Sequence, residues 1–213
     1  MNIRFSVLTL CCAAALAACG GQAGSAEGQA ASSAAAEVPP GSVKIETARG
    51  EAVVPQNPER VAVYDLGAID TLSKLGVKIG ASVDSQNLAY LDAPLKDAVK
   101  AGTLFEPNYE ALNAYNPQLI IIGSRMAKDK VSSELVKLAP TVEMTAKTDN
   151  MKESAKARID AYAKIFGKQA EADALKAEID KTFADAKAAA QGKGKGLVIL
   201  VNAGKLSAFG PDS

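Results

Sequence analysis

The chain carries two hydrophobic rhythms in turn. Apolar and polar positions alternate along Val43-Lys44-Ile45-Glu46-Thr47, Ala48-Arg49-Gly50 can turn, and residues 51–55 return, which predicts a β-hairpin. Val61-Ala62-Val63-Tyr64 is a short β-run, and helical spacing follows at Ala68, Ile69, Leu72 and Leu75, closed by Gly76. Residues 77–81 read as a second strand, and residues 92–100 as a helix with Pro94 in its first turn. Pro107 suits another helix start, with Tyr109, Leu112 and Tyr115 on its face. Leu119-Ile120-Ile121-Ile122 is apolar throughout, as expected of a central parallel strand. Residues 128–138 predict a helix and residues 141–144 a further strand. This alternation argues for an α/β fold built on an open, helix-flanked parallel sheet.

Two longer helices follow. Asn150 and Glu153 have the spacing of a capping box. Met151, Ala155, Ile159, Tyr162 and Phe166 form one apolar stripe. After Gly167, a second stripe runs through Ala172, Leu175, Ile179, Phe183 and Ala186 on a helix ending near Ala190. Residues 191–196 are a glycine–lysine loop, and residues 197–201 are an apolar strand. An isolated strand has nothing to pair with. Residues 197–201 therefore either open a second, incomplete α/β lobe, with the chain as part of a two-lobed protein, or join the first sheet as its last strand.

The N-terminal segment lies outside both rhythms. Arg4 precedes an apolar run over residues 5–18, well short of the roughly 20 residues a spanning helix needs. The run ends in Leu16-Ala17-Ala18-Cys19, which reads as a lipoprotein signal cut before an acylated Cys19; an ordinary signal peptide cut nearby is the alternative. No later run is apolar enough to span a bilayer. Residues 20–42 are rich in Gly, Ala, Ser and Gln and read as a flexible tether, although an Ala-rich helix over residues 30–37 is possible. The organisation expected is thus a signal at 1–18, a tether at 19–42, a first α/β lobe at 43–150, a helix pair at 151–191 and the start of a second lobe at 192–213.

Composition narrows the function. The sequence has 24 cationic and 24 anionic side chains, and cleavage before Cys19 removes one Arg and no acid, leaving a net charge of −1. No basic field for nucleic acid results. Cys11 and Cys12 leave with the signal and Cys19 is consumed by lipid, so the mature fold has no thiol. Histidine is absent, which excludes Ser-His-Asp and Cys-His catalysis and His-ligated metal within this chain.

In open α/β sheets ligands bind at the carboxyl ends of the strands. Those ends carry Tyr64-Asp65-Leu66, Ser82-Val83 and Gly123-Ser124-Arg125-Met126. Arg125 is either an anion clamp or a solvated cap to its strand. Lys128, one turn on, either adds a second cation or is a plain surface lysine. Phe105 in the Phe105-Glu106-Pro107 corner either walls a pocket or packs in the core. Tyr64 could offer a phenolate oxygen to ferric iron or simply pack at an edge. Gly192-Lys193-Gly194-Lys195-Gly196 lacks phosphate-loop spacing and precedes its strand, so it reads as a turn. No Gly-x-Gly-x-x-Gly follows the first strand of the alternating region.

Several stretches carry a family resemblance: Asn57-Pro58-Glu59-Arg60-Val61, Tyr64-Asp65-Leu66-Gly67-Ala68-Ile69-Asp70-Thr71-Leu72, Gly102-Thr103-Leu104-Phe105-Glu106-Pro107-Asn108-Tyr109-Glu110, Asn116-Pro117-Gln118-Leu119 and Leu206-Ser207-Ala208-Phe209-Gly210-Pro211. In this order and spacing the sequence resembles the ferric-siderophore (enterobactin-type) substrate-binding lipoproteins of ABC importers. The resemblance implies two Rossmann-like lobes joined by one long helix, here residues 171–190, with the ligand held between them. It implies no catalysis and no cofactor. The ligand would be a ferric iron–siderophore complex, the partners an ABC permease and a membrane reached through the lipid anchor, and the protein a monomer on the periplasmic side. Arg125 and Lys128 match the family's first-lobe cations, and an arginine would be expected after Ser213. Tyr64, Asp65, Ser82, Phe105, Glu106 and Ser124 complete the candidate ligand-binding set. A binder of haem, cobalamin or another chelate is a related alternative, and a non-transport surface lipoprotein or adhesin one of a different class.

Overall fold

A computed structural model describes residues 38–83, 88–194 and 196–210. The signal, Cys19 and most of the tether lie outside the described residues. Strands β1 (Ser42–Thr47) and β2 (Gly50–Pro55) form the expected antiparallel hairpin, with Val43 opposite Val54 and Ile45 opposite Ala52. The Thr47 hydroxyl donates to the Gly50 carbonyl at 2.7 Å and accepts from Arg49 N–H at 3.1 Å, which closes the turn.

The centre is a five-stranded, fully parallel sheet. Its members are β3 (Val61–Tyr64), β4 (Ala81–Ser82), β5 (Val99–Lys100), β6 (Leu119–Ile122) and β7 (Thr141–Glu143), in the order β5-β4-β3-β6-β7. All residues of β3 and β6 are buried. Each Val, Leu or Ile side chain there contributes roughly 1.5–3 kcal/mol on leaving water. The flanking helices are α1 (Leu66–Lys74), α2 (Asp92–Leu95), α3 (Tyr109–Tyr115) and α4 (Asp129–Leu135). In α1 the expected face of Ala68, Ile69 and Leu72, with Leu75 at the cap, is fully buried.

Two local expectations fail. Residues 77–80 are not a strand: Val77 N–H turns back to the Leu72 carbonyl at 2.9 Å as α1 ends, and pairing starts only at Ala81. The helix expected at 92–100 stops at Leu95, and Val99–Lys100 becomes an exposed edge strand on β4.

Helices α5 (Met151–Phe166) and α6 (Gln169–Ala190) pack together, and β1 lies against α5. The first apolar stripe holds at Ile159 and Tyr162, both buried, but Met151 is exposed. On α6 only Ala172 is buried, Leu175 and Ile179 are half-buried, and Phe183 is exposed, so its stripe covers the lobe for only half the helix. Strand β8 (Val198–Asn202) does not join the parallel sheet. It pairs antiparallel with β9 (Lys205–Phe209), and both strands are exposed throughout.

Candidate functional site

The strand order places the site. From β3 the chain moves outward through β4 to β5, then returns to β3's other side for β6 and β7. The order therefore reverses between β3 and β6, and the crevice at such a switch point is where α/β sheets hold ligands. Tyr64 and Ile122, the last residues of the two strands, are in register. Asp65 follows one and Gly123-Ser124-Arg125 follows the other. A cleft of about 360 Å³ opens there, walled by Tyr64, Asp65, Leu66, Gly67, Leu104 and the Gly123–Arg125 segment.

Asp65 organises the floor. Its Oδ1 accepts from Ala68 N–H at 2.6 Å, capping α1, and from Arg158 Nη2 at 3.1 Å. Gly123 permits this placement, because a Cβ there would stand 2.2 Å from Asp65 Oδ2. One cation, Arg125, stands at the mouth. Arg125 is exposed and, among the described residues, makes no ion pair; its guanidinium carbon lies 5.6 Å from the centre of the Phe105 ring. Ser124 is exposed beside it. Phe105 is 61% exposed, which removes the core-packing alternative. The negative face of the ring's quadrupole attracts a cation, so Phe105 gives Arg125 a flat face to rest on.

Other candidates sit elsewhere. Tyr64 is buried, and its hydroxyl donates to the Ala101 carbonyl at 2.6 Å. Burial raises its pKa, with Tyr109 adding to the shift, so the phenol stays neutral where Tyr64 lines the cleft. Ser82 is buried outside the cleft wall and donates to the Val63 carbonyl at 2.8 Å. Glu106 is exposed in the turn after β5, where its carbonyl accepts from Thr103 N–H at 2.9 Å. Lys128 is exposed at the N-terminus of α4 and does not line the cleft. Cys19 lies outside the described residues.

Arg158 has no counterpart in the sequence reading. It lies on α5, 93 residues from Asp65, and only the tertiary fold joins them. It also lines a second cavity of about 400 Å³, between Ala48 in the hairpin turn, Met144 and Thr145 after β7, and Ser154 on α5. Its Nη2 reaches the Tyr162 hydroxyl at 3.5 Å, and its buried Nε has no partner. Among the described residues no group of three acidic, Cys or His side chains could hold a metal ion, and no helix is long and apolar enough to cross a membrane.

Comparison with known proteins assigns the chain to a family. The sequence is 36% identical over 216 residues to the petrobactin-binding protein YclQ of Bacillus subtilis, covering 99% of this chain and 66% of that one. It is 31% identical over 178 residues to the ferric-anguibactin-binding protein FatB of Vibrio anguillarum, covering 80% of this chain and 55% of that one. The crystal structure of YclQ superposes with a TM-score of 0.75 at 34% identity, over 81% of this chain and 62% of that one. The catecholate-siderophore binding protein VctP of Vibrio cholerae gives 0.71 at 29% identity over the same shares. The chain thus spans less than two thirds of the length of these relatives. The family profile described as periplasmic binding protein matches residues 61–213, and the chain belongs to that family.

Proposed function

We propose that the whole protein is an extracytoplasmic, lipid-anchored binding protein that captures a ferric siderophore of catecholate type and delivers it to an ABC importer. It acts by binding, without catalysis. The observation that carries this reading is Arg125, a cation without an ion-pair partner among the described residues, at the mouth of the switch-point cleft. A ferric tris-catecholate is a diffuse oxygen anion, which an arginine fork suits better than a point charge. The names of FatB, a ferric-anguibactin-binding protein, and VctP, a catecholate-siderophore binding protein, support a ferric siderophore and its catecholate type respectively. Residues 43–150 would supply one wall of the ligand site, α6 the connection, and 192–213 the start of a second lobe.

Tryptophan is absent from these 213 residues, so tyrosine fluorescence reads this part of the protein directly. Titrating ferric tris-catecholate into the full-length protein should give saturable quenching, and its absence would refute the reading. The anchor is tested separately: the protein should incorporate labelled palmitate, and Cys19→Ala should abolish it.

A further inference from the structure

A carboxylate is an unexpected neighbour for a site that takes an anion, yet Asp65 forms part of the cleft wall. The Asp65–Arg158 pair resolves this. The two side chains are 25% and 18% exposed, at 3.1 Å, so their charges cancel in partly dry surroundings. The pair stands between the cleft, which Asp65 lines, and the second cavity, which Arg158 lines. Capping α1 does not by itself call for a charge here, because asparagine caps a helix as well as aspartate. Bringing a guanidinium this far in, with Nε buried and unpartnered, carries a desolvation penalty that capping alone would not require.

We infer that Arg158 is a positioning residue for anion capture at the β3/β6 switch point: it fixes Asp65 as the cap of α1 and cancels its charge, leaving Arg125 to act on the ligand unopposed. This rests on the anion-binding reading above. Without Arg158, one uncompensated negative charge would face the ligand. At about 6 Å and an effective dielectric near 40, that is worth about a tenfold loss of affinity.

The test compares the full-length parent with Arg158→Met, Asp65→Asn and the double variant. Binding of ferric tris-catecholate is read by tyrosine quenching at low and high salt, and urea denaturation corrects for the folded fraction. Arg158→Met should weaken binding about tenfold, Asp65→Asn should tighten it severalfold, and the double variant should recover most of the loss. All three differences should shrink in high salt. A double variant as weak as Arg158→Met would mean that Arg158 touches the ligand itself, and four equal affinities would mean that the pair only holds the fold; either overturns the inference while the parent still binds. A parent that does not bind overturns the siderophore reading and the inference with it.

Discussion

Replacing Gly123 with alanine would put a methyl group where the Asp65 carboxylate lies. The added Cβ would stand 2.2 Å from Asp65 Oδ2, 3.1 Å from its Cγ and 3.3 Å from its Cβ. Gly123 is not in the left-handed region, so its own backbone accepts alanine and the clash decides the outcome. An unrestrained carboxylate would swing aside. This one is held by Ala68 N–H at 2.6 Å and Arg158 Nη2 at 3.1 Å. Moving it gives up a helix cap, about 1 kcal/mol, and a charge-assisted contact, ~1.5–3 kcal/mol. The stiffer unfolded chain of alanine returns ~0.4–1 kcal/mol. Gly123→Ala should therefore lower unfolding stability in urea by about 2–3 kcal/mol. Asp65→Ala removes the obstacle, so in that background Gly123→Ala should be neutral or stabilise by up to about 1 kcal/mol. Equal destabilisation with and without the Asp65 carboxylate would refute the reasoning, because the contact would then not be what excludes a side chain.

Three further outcomes are expected. Burial pushes the Tyr162 phenol from 10.0 up to about 12, against the lowering pull of Arg158, so the folded state keeps a proton that the unfolded state releases. Stability from this group is complete below pH 10 and should fall by about 1.4 kcal/mol per pH unit from there to about 12; urea titrations of parent and Tyr162→Phe should diverge in that window. Tyr64→Phe removes one of two hydrogen bonds to the buried Ala101 carbonyl, which keeps Asn108 N–H at 2.8 Å, and should lower stability by about 1 kcal/mol in thermal or urea unfolding. Phe105→Ala removes the face on which Arg125 rests, worth ~0.5–1 kcal/mol at an exposed site, and should weaken ferric catecholate binding about two- to fivefold by the same quenching assay.

What the sequence revealed depended on how local the cause was. The hairpin, β3, β6 and the buried face of α1 are set by side-chain periodicity, and the structure has them as expected. The carboxyl-end segments Asp65 and Gly123–Arg125 were therefore also found, since a parallel sheet fixes where its strand ends point. The strand expected over residues 77–81 is confined to β4 at Ala81–Ser82, and β5 was not foreseen, because two residues cannot display a period and their pairing is decided by the neighbouring strand. The apolar stripe of α6 was visible, but Phe183 stays exposed because a stripe says nothing about where its partner surface ends. Strand β9 was legible only as a family motif, not as a strand. Arg158 was hidden for the plainest reason: its partner lies 93 residues away, and nothing on α5 marks one basic position from its neighbours.

As proposed above, the switch-point cleft between β3 and β6 receives an iron chelate under the guanidinium of Arg125. Crystals of the full-length protein with ferric tris-catecholate, measured at the iron absorption edge, test this most directly. One anomalous peak should lie at the carboxyl ends of β3 and β6, with catecholate oxygens in hydrogen-bond reach of Arg125, and it should be lost at matched ligand concentration in Arg125→Ala. A peak in the cavity beside Ala48 and Met144, or an unchanged peak in the variant, would contradict it.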